Sequence, residues 1–306
     1  MGRSPRDHAD SAAARRPERS PDAVARRPDF LFIGPDKTGS TWLYEVLRRH
    51  LRCYVPEVKD LYYFDRYYDR GPDWYLSHFA AAPADARAVG ELSHDYLFSP
   101  AAARRIARDL PGVRLLTCLR DPVERTFSHY LYLVRSGLVR EPFEEALRRR
   151  PELIEHSLYA RHLRPYLARF PRGRIKILWF ERLRDDPEAF AREACDFLGL
   201  DVREALPLPS RVLPAARPRV HALARLAKWG ANACRDLGFA RAVGLVKRSP
   251  LAQRALYVPY RGAARPSPAA AWRDRLRERF REDVEDLGRL LDIDLRHWLT
   301  ETGGSA

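Results

Sequence analysis

The sequence predicts an α/β fold: a parallel sheet with helices on both faces, in a single domain. Three observations predict it. The apolar run Phe30–Gly34 passes through a glycine-containing loop into an amphipathic segment. A second run, Val113–Leu119, does the same through an Asp-Pro turn, and a third, Arg174–Phe180, follows an amphipathic stretch. Strands that alternate with helices need crossover connections, which make neighbouring strands parallel and put helices on both faces. With a strand–loop–helix unit at its start, the arrangement is P-loop-like.

Residues 1–28 are Arg, Ala, Pro, Asp and Ser with almost no large apolar side chain, the composition of a disordered tail. Order is expected to begin at Asp29, with FLFIG as a buried strand. In STWLYEVLRRH, Trp42, Leu43, Val46 and Leu47 recur at helical spacing. The loop in FIGPDKTGST therefore joins a strand end to a helix start, where an anion can bind. After the second strand, Asp121-Pro122-Val123-Glu124 reads as a helix start, with Asp as N-cap, Pro in the first turn and Glu closing a capping box. SLYARHLRPYLARF is the amphipathic stretch before the third strand. From Pro207 to about Pro268 the text turns Arg/Ala/Pro-rich, with a basic amphipathic stretch from Val220 to Lys247, and residues 214–260 are read as a helical lid or an insertion. The last charged helix places Leu276, Phe280, Val284, Leu287 and Leu291 on one face and closes a domain expected to span 29–306.

At 306 residues the chain can bury one full core. Its net charge is +14 and nearly all of the positive charge is arginine, the only lysines being Lys37, Lys59, Lys176, Lys228 and Lys247. Arg- and Ala-rich text with one Met points to GC-rich coding for part of that charge. The rest implies an anionic ligand, a membrane surface or nucleic acid. No helix-turn-helix, RNA-recognition or zinc-finger signature accompanies it, so nucleic acid is not the expected partner. Cys53, Cys118, Cys195 and Cys234 lack metal spacing and read as free thiols of a reducing cytoplasm, with Cys118 and Cys195 buried and no metal site. No apolar run approaches the roughly 18 residues of a membrane span, and the N-terminal arginines lead into no hydrophobic region of a secretory signal.

The chemistry concentrates in two loops. In KTGST, Gly39 lets the backbone approach a ligand, the amides of Thr38 to Trp42 point at one phosphate, Ser40 and Thr41 add hydroxyls, and Lys37 adds a point charge. A triphosphate loop would carry lysine directly after the second glycine; here Lys37 precedes Gly39, and the next strand ends in Arg120 rather than in a metal-holding Asp. Alone, the loop is equally well a plain strand–helix turn. It is joined by LRDPVERTFSHY, with Arg120 and, eight positions on, Ser128. Both stations fall at C-terminal strand ends, where such sheets bind ligands.

FIGPDKTGSTWL and LRDPVERTFSHY together resemble the sulfotransferases that use 3′-phosphoadenosine 5′-phosphosulfate (PAPS), in the branch holding heparan-sulfate-type and many bacterial enzymes. The resemblance continues through VKDLYYFDRYYDRGPDWYLSHF, GELSHDYLFSP, HSLYARHL and DIDLRHW, about Asp29 to Trp298. It implies a 5′-phosphosulfate site on Lys37, Thr38, Gly39, Ser40, Thr41 and Trp42, a 3′-phosphate site on Arg120 and Ser128, and Ser157 and Tyr159 near the 3′-phosphate or adenine. It implies sulfuryl transfer by in-line displacement to an acceptor hydroxyl, with Lys37 on the leaving oxygen and no metal. Asp60 stands where relatives carry a general-base Glu; Asp65 and His94 are the alternatives, and Lys59 contacts the phosphosulfate or is solvated. Relatives often read E-K-[ST]-P-x-Y where this chain has Leu92 and His94, so a lysine contribution does not carry over, while Glu91, Ser93 and Tyr96 remain acceptor-side candidates. Arg125 and His129 read as packing or solvated-face residues, and Tyr62, Tyr63, Tyr67, Tyr68, Trp74 and Tyr75 as either core or an acceptor-stacking cluster. The expected acceptor is a small molecule, sugar or glycolipid. A nucleotide-dependent phosphotransferase is the alternative enzyme. The stretch from Val220 to Lys247 leaves open a peripheral membrane contact beside the lid reading.

Overall fold

The computed structural model describes residues 26–201, 208–209, 216–236, 249, 252, 255–260 and 266–300. The expected tail lies outside the described residues except for its last three, as does much of the expected lid.

Five parallel strands form one sheet in the order β2-β3-β1-β4-β5: β1 Phe30–Gly34, β2 Cys53–Tyr54, β3 Ala88–Leu92, β4 Arg114–Leu119 and β5 Ile175–Trp179. Alternation along each strand feeds two cores. Phe30 and Phe32 of β1, with Leu116 and Cys118 of β4, pack against α1 (Ser40–Arg49) and Ala191, Ala194 and Cys195 of the helix Pro187–Phe197. Leu31 and Ile33, with Leu115 and Leu119, point the other way. There they meet Ala102, Ala103 and Ile106 of Pro100–Asp109, Val123 and Phe127 of Pro122–Arg135, Leu163 and Tyr166 of Tyr159–Leu167, and the final described helix Ala270–Leu291. That last helix buries the five residues its spacing selected, Leu276, Phe280, Val284, Leu287 and Leu291. The helices on both faces and the parallel sheet are thus as the sequence predicts.

Strands β2 and β3 are the part of the sheet that periodicity does not announce. β2 is two residues long, and β3 (AVGEL) contains Gly90 and Glu91. Gly90 is there because a Cβ would strike the Phe30 carbonyl on β1, and Glu91 is tolerated because its carboxylate is hydrogen-bonded inside the core. All four cysteines are free, with Cys118 and Cys195 buried. No described helix is long and apolar enough to cross a membrane.

Candidate active site

Strands β1 and β4 are neighbours, yet α1 leaves to one face of the sheet and Pro122–Arg135 (here the β4 helix) to the other. Their loops diverge, and a crevice must open at that C-terminal edge. The cleft found there has a volume of about 1160 Å³, and Lys37, Gly39, Ser40, Thr41, Trp42, Arg120 and Ser128 all line it.

On its β1 side, α1 begins after Gly39, whose φ of 88° lies in the left-handed region, and no side chain caps the helix. The first-turn amides therefore remain for a ligand. Gly39 also has no room for a Cβ, which would run into Leu183. Lys37 holds a left-handed φ of 66° that a non-glycine residue adopts at some cost. Its Nζ lies 4.2 Å from the centroid of the Tyr132 ring. Burial pulls its pKa below the usual lysine value, partly offset by the neighbouring Asp36 carboxylate. Thr38 faces inward: its hydroxyl donates to the Pro35 carbonyl at 2.8 Å, so it offers the cleft backbone only. Trp42 borders the cleft and donates from Nε1 to the Pro209 carbonyl at 3.0 Å.

The β4 side works differently. Asp121 caps its own helix, accepting from the amides of Val123 (2.8 Å) and Glu124 (3.0 Å), so an anion here must be held by side chains. Glu124 does not close the expected capping box. The Asp121 amide donates instead to Glu181 at 3.0 Å, across from the end of β5, while Glu124 approaches Arg120 at 3.4 Å and Arg273 at 3.6 Å. The Arg120 guanidinium lies 4.4 Å from the Phe180 ring centroid and donates to the Lys37 carbonyl at 3.4 Å, tying the two stations together. Ser128, Tyr132 and Arg135 follow on one stripe of the helix, all on the cleft. Tyr159 and Ser157 are not on its wall. Tyr159 is fully buried and donates to the Arg120 carbonyl at 2.8 Å; Ser157 is buried against Thr126 and Pro122. Tyr159 thus sits beneath Arg120, and Ser157 beneath the start of the β4 helix.

Asp36, which sequence reading passed over, braces the Lys37 loop to the β4 helix. Its carboxylate lies 3.6 Å from buried Arg125 and 3.9 Å from His129, and Arg125 donates to His129 Nδ1 at 2.7 Å. Burial outweighs Asp36 and leaves both nearby imidazoles neutral, His129 pushed down to about 4 and His156 to about 3. Asp36, His129 and His156 offer three ligand atoms within 4.8 Å of one another, but the Arg125 guanidinium already supplies the cation there. Arg125 and His129 are therefore packing residues of an ion-paired core, one of the two alternatives the sequence left open.

The remaining candidates lie outside the cleft, on the β3 side of Lys37. The Asp60 amide donates to the Leu92 carbonyl at the end of β3. The Asp60 carboxylate takes bonds from Lys59 and from His94 Nδ1, each at 2.7 Å and both on Oδ1. The far nitrogen of His94 bonds the Tyr62 hydroxyl at 3.1 Å. Burial alone would raise the Asp60 pKa, but the His94 and Lys59 charges outweigh it and hold the group well below the usual range. For His94, burial works downward and the Asp60 charge outweighs it, raising the imidazole above its ordinary value. Asp65 pairs with Arg66 at 3.4 Å and is pushed up to about 6, chiefly by burial.

Asp60 and Tyr62 both carry left-handed φ angles, 67° and 54°. Buried Glu91 holds this turn from below. It accepts from Ser93 and Tyr96, each at 2.6 Å, and those hydroxyls in turn accept from the amides of Tyr62 (3.1 Å) and Tyr63 (3.0 Å). Glu91, Ser93 and Tyr96 thus shape the turn from within the core. Tyr63 stacks on Tyr75 with ring centroids 4.4 Å apart, and both are buried. Much of the aromatic cluster is core.

Residues 27–210 match the family described as the sulfotransferase domain. The chain is 33% identical over 199 residues to human bifunctional heparan sulfate N-deacetylase/N-sulfotransferase 3, covering 57% of this chain and 22% of that protein. It is 32% identical over 186 residues to mouse heparan sulfate glucosamine 3-O-sulfotransferase 3A1, covering 56% of this chain and 46% of that one. The chain thus spans less than half the length of these relatives. Among solved structures, a sulfotransferase from Alicyclobacillus acidocaldarius superposes with a TM-score of 0.66 at 25% identity, over 90% of this chain and all of that one. The chain belongs to the sulfotransferase-domain family.

Proposed function

We propose that residues 29–306 form a PAPS-dependent O-sulfotransferase that sulfates a carbohydrate-like hydroxyl, on an oligosaccharide, glycolipid or glycosylated metabolite. One observation carries the reading: a single cleft holds two anion stations of different construction, an uncapped helix start with a lysine and an arginine–serine pair. A ligand with a charged group at each end fits that donor set. PAPS would supply the sulfuryl group, its 5′-phosphosulfate held by Lys37 and the amides of residues 38–42 and its 3′-phosphate by Arg120 and Ser128.

Lys37, fixed by its strained backbone, donates where negative charge grows on the leaving oxygen. Arg120 grips a terminal phosphate with two donors at once, and Tyr159 positions it from below. On the β3 side, Asp60 takes the acceptor proton: its bonds to Lys59 and His94 fall on Oδ1, leaving Oδ2 for the incoming hydroxyl. His94 orients the carboxylate. The free thiols and the reducing, cytoplasmic setting they suggest belong to the same reading. Incubating the full chain with labelled PAPS and a glycolipid and metabolite extract should add label and the mass of SO₃ to a hydroxyl compound, with EDTA making no difference. Transfer of phosphate from a nucleoside triphosphate, dependent on Mg²⁺, would sink the reading in favour of a phosphotransferase.

A further inference from the structure

Between Ala205 and Arg273 the sequence has thirteen arginines and lysines and one acidic residue, Asp236, a net +12 within a chain whose total is +14. The charge that composition left unexplained is therefore not spread evenly along the sequence. It is concentrated in one segment.

The described part of that segment has a second property. Helix His221–Asp236 packs on the protein through Ala224, which is fully buried, and through Lys228, whose Nζ donates to the Tyr132 hydroxyl at 2.9 Å. Gly137 lies against the His221 carbonyl so closely that a Cβ there would collide with it. The opposite face carries Leu223 (47% exposed), Leu226 (62%) and Trp229 (70%), with Val220 (55%) just before the helix. These four are half of the eight large apolar side chains exposed among the described residues. Arg217, Arg219 and Arg225 stand exposed beside them. Scattered exposed leucines need no explanation, but a Trp/Leu face rimmed by arginines does.

We propose that this helix seats the protein on an anionic lipid bilayer. An interfacial helix buries a Trp/Leu face at the headgroup level while its basic residues meet anionic lipid. A polyanion such as nucleic acid or a sulfated glycan would satisfy the arginines but leave Leu226 and Trp229 in water, so the apolar face selects the bilayer. Ala216, on the strand just before the helix, and Tyr132, which Lys228 holds, both line the cleft. The docking face is thus fixed to the cleft rim.

The test uses the full chain without PAPS or acceptor, so its result does not depend on the enzymatic reading. Wild-type protein is co-sedimented with vesicles of neutral phosphatidylcholine and with vesicles containing one-third phosphatidylglycerol. The anionic vesicles should bind at least tenfold more tightly, and the double variant Leu226→Ser, Trp229→Ser should lose at least tenfold of that affinity. Circular dichroism confirms that the variant is folded. Equal binding to both vesicle types, or anionic binding unchanged in the double variant, overturns the proposal. So does tighter binding to heparin than to vesicles with the same loss in the variant, which would assign the face to a polyanion.

Discussion

The two sides of Lys37 on the sheet's C-terminal edge are built on different principles. Towards β4, the groups come from a loop of a few residues and one stripe of one helix: Lys37, an uncapped helix start, Arg120 and Ser128. The placement of these groups, the helix-start amides on one side and the Arg120 and Ser128 side chains on the other, follows from local chain direction. Towards β3, Asp60, His94 and Glu91 are brought together by side-chain bonds such as His94–Asp60 and Ser93–Tyr62, between residues more than thirty positions apart. The first side can bind a charged ligand with little help from the rest of the fold. The second exists only after the sheet has formed.

That difference makes the two sides separable by substitution. Lys37→Ala should have the largest effect, since removing a donor at developing charge typically costs about 10²–10³ in kcat; single-turnover transfer of labelled sulfate would measure it. Asp60→Asn comes next, with a loss on the order of 10²-fold in kcat and less than a twofold change in affinity for the desulfated product PAP by calorimetry. Wild-type turnover in that variant would remove Asp60 as base. The pH profile sharpens the point. An Asp60 carboxylate held well below its usual pKa stays ionised throughout the neutral range and gives no acid limb there. A limb above pH 6.5, removed by His94→Asn, would instead assign the proton to His94, whose pKa is raised above the ordinary imidazole value by the Asp60 carboxylate.

Arg120→Ala should invert the pattern. PAP binding should weaken about tenfold to a hundredfold, the range of a hydrogen bond to a charged group, with a smaller change in kcat at saturating PAPS. Glu91→Gln should touch stability rather than chemistry. Burial raises the Glu91 pKa from 4.5 to about 7, so the folded state holds a proton more tightly than the unfolded chain. The stabilisation this brings is complete below pH 4.5 and is lost as pH rises through about 7, a difference on the order of 3 kcal/mol. The wild type should lose melting temperature between pH 5 and 8, and the Gln variant should lose less.

Much of this protein was legible without coordinates. Apolar runs that end in glycine or arginine and lead into amphipathic segments specify β1 and β4, because a strand buried on both faces is largely apolar, and the third run, which follows an amphipathic stretch, specifies β5. The spacing within α1 and Ala270–Leu291 specifies which face each helix buries. Glu181 and Phe180 were within reach of the same logic, since they follow a strand end directly, and Tyr132 and Arg135 continue the Ser128 stripe. Other features required the tertiary structure. Glu181 takes the amide assigned to Glu124 because β5 lies beside β4 in space. Tyr159, at the start of its helix, turns inward beneath Arg120, and Ser157, in the turn before it, is buried against Thr126 and Pro122. Asp36 finds Arg125 and His129 only when the β4 helix crosses behind the loop. Periodicity along a chain records which face is buried; it does not record which side chain will meet it there. The sequence by itself therefore determined β1, β4 and β5 and the two loops at the ends of β1 and β4, while only the packed fold decided strands β2 and β3 and the partners of Asp60, Asp36 and Arg120.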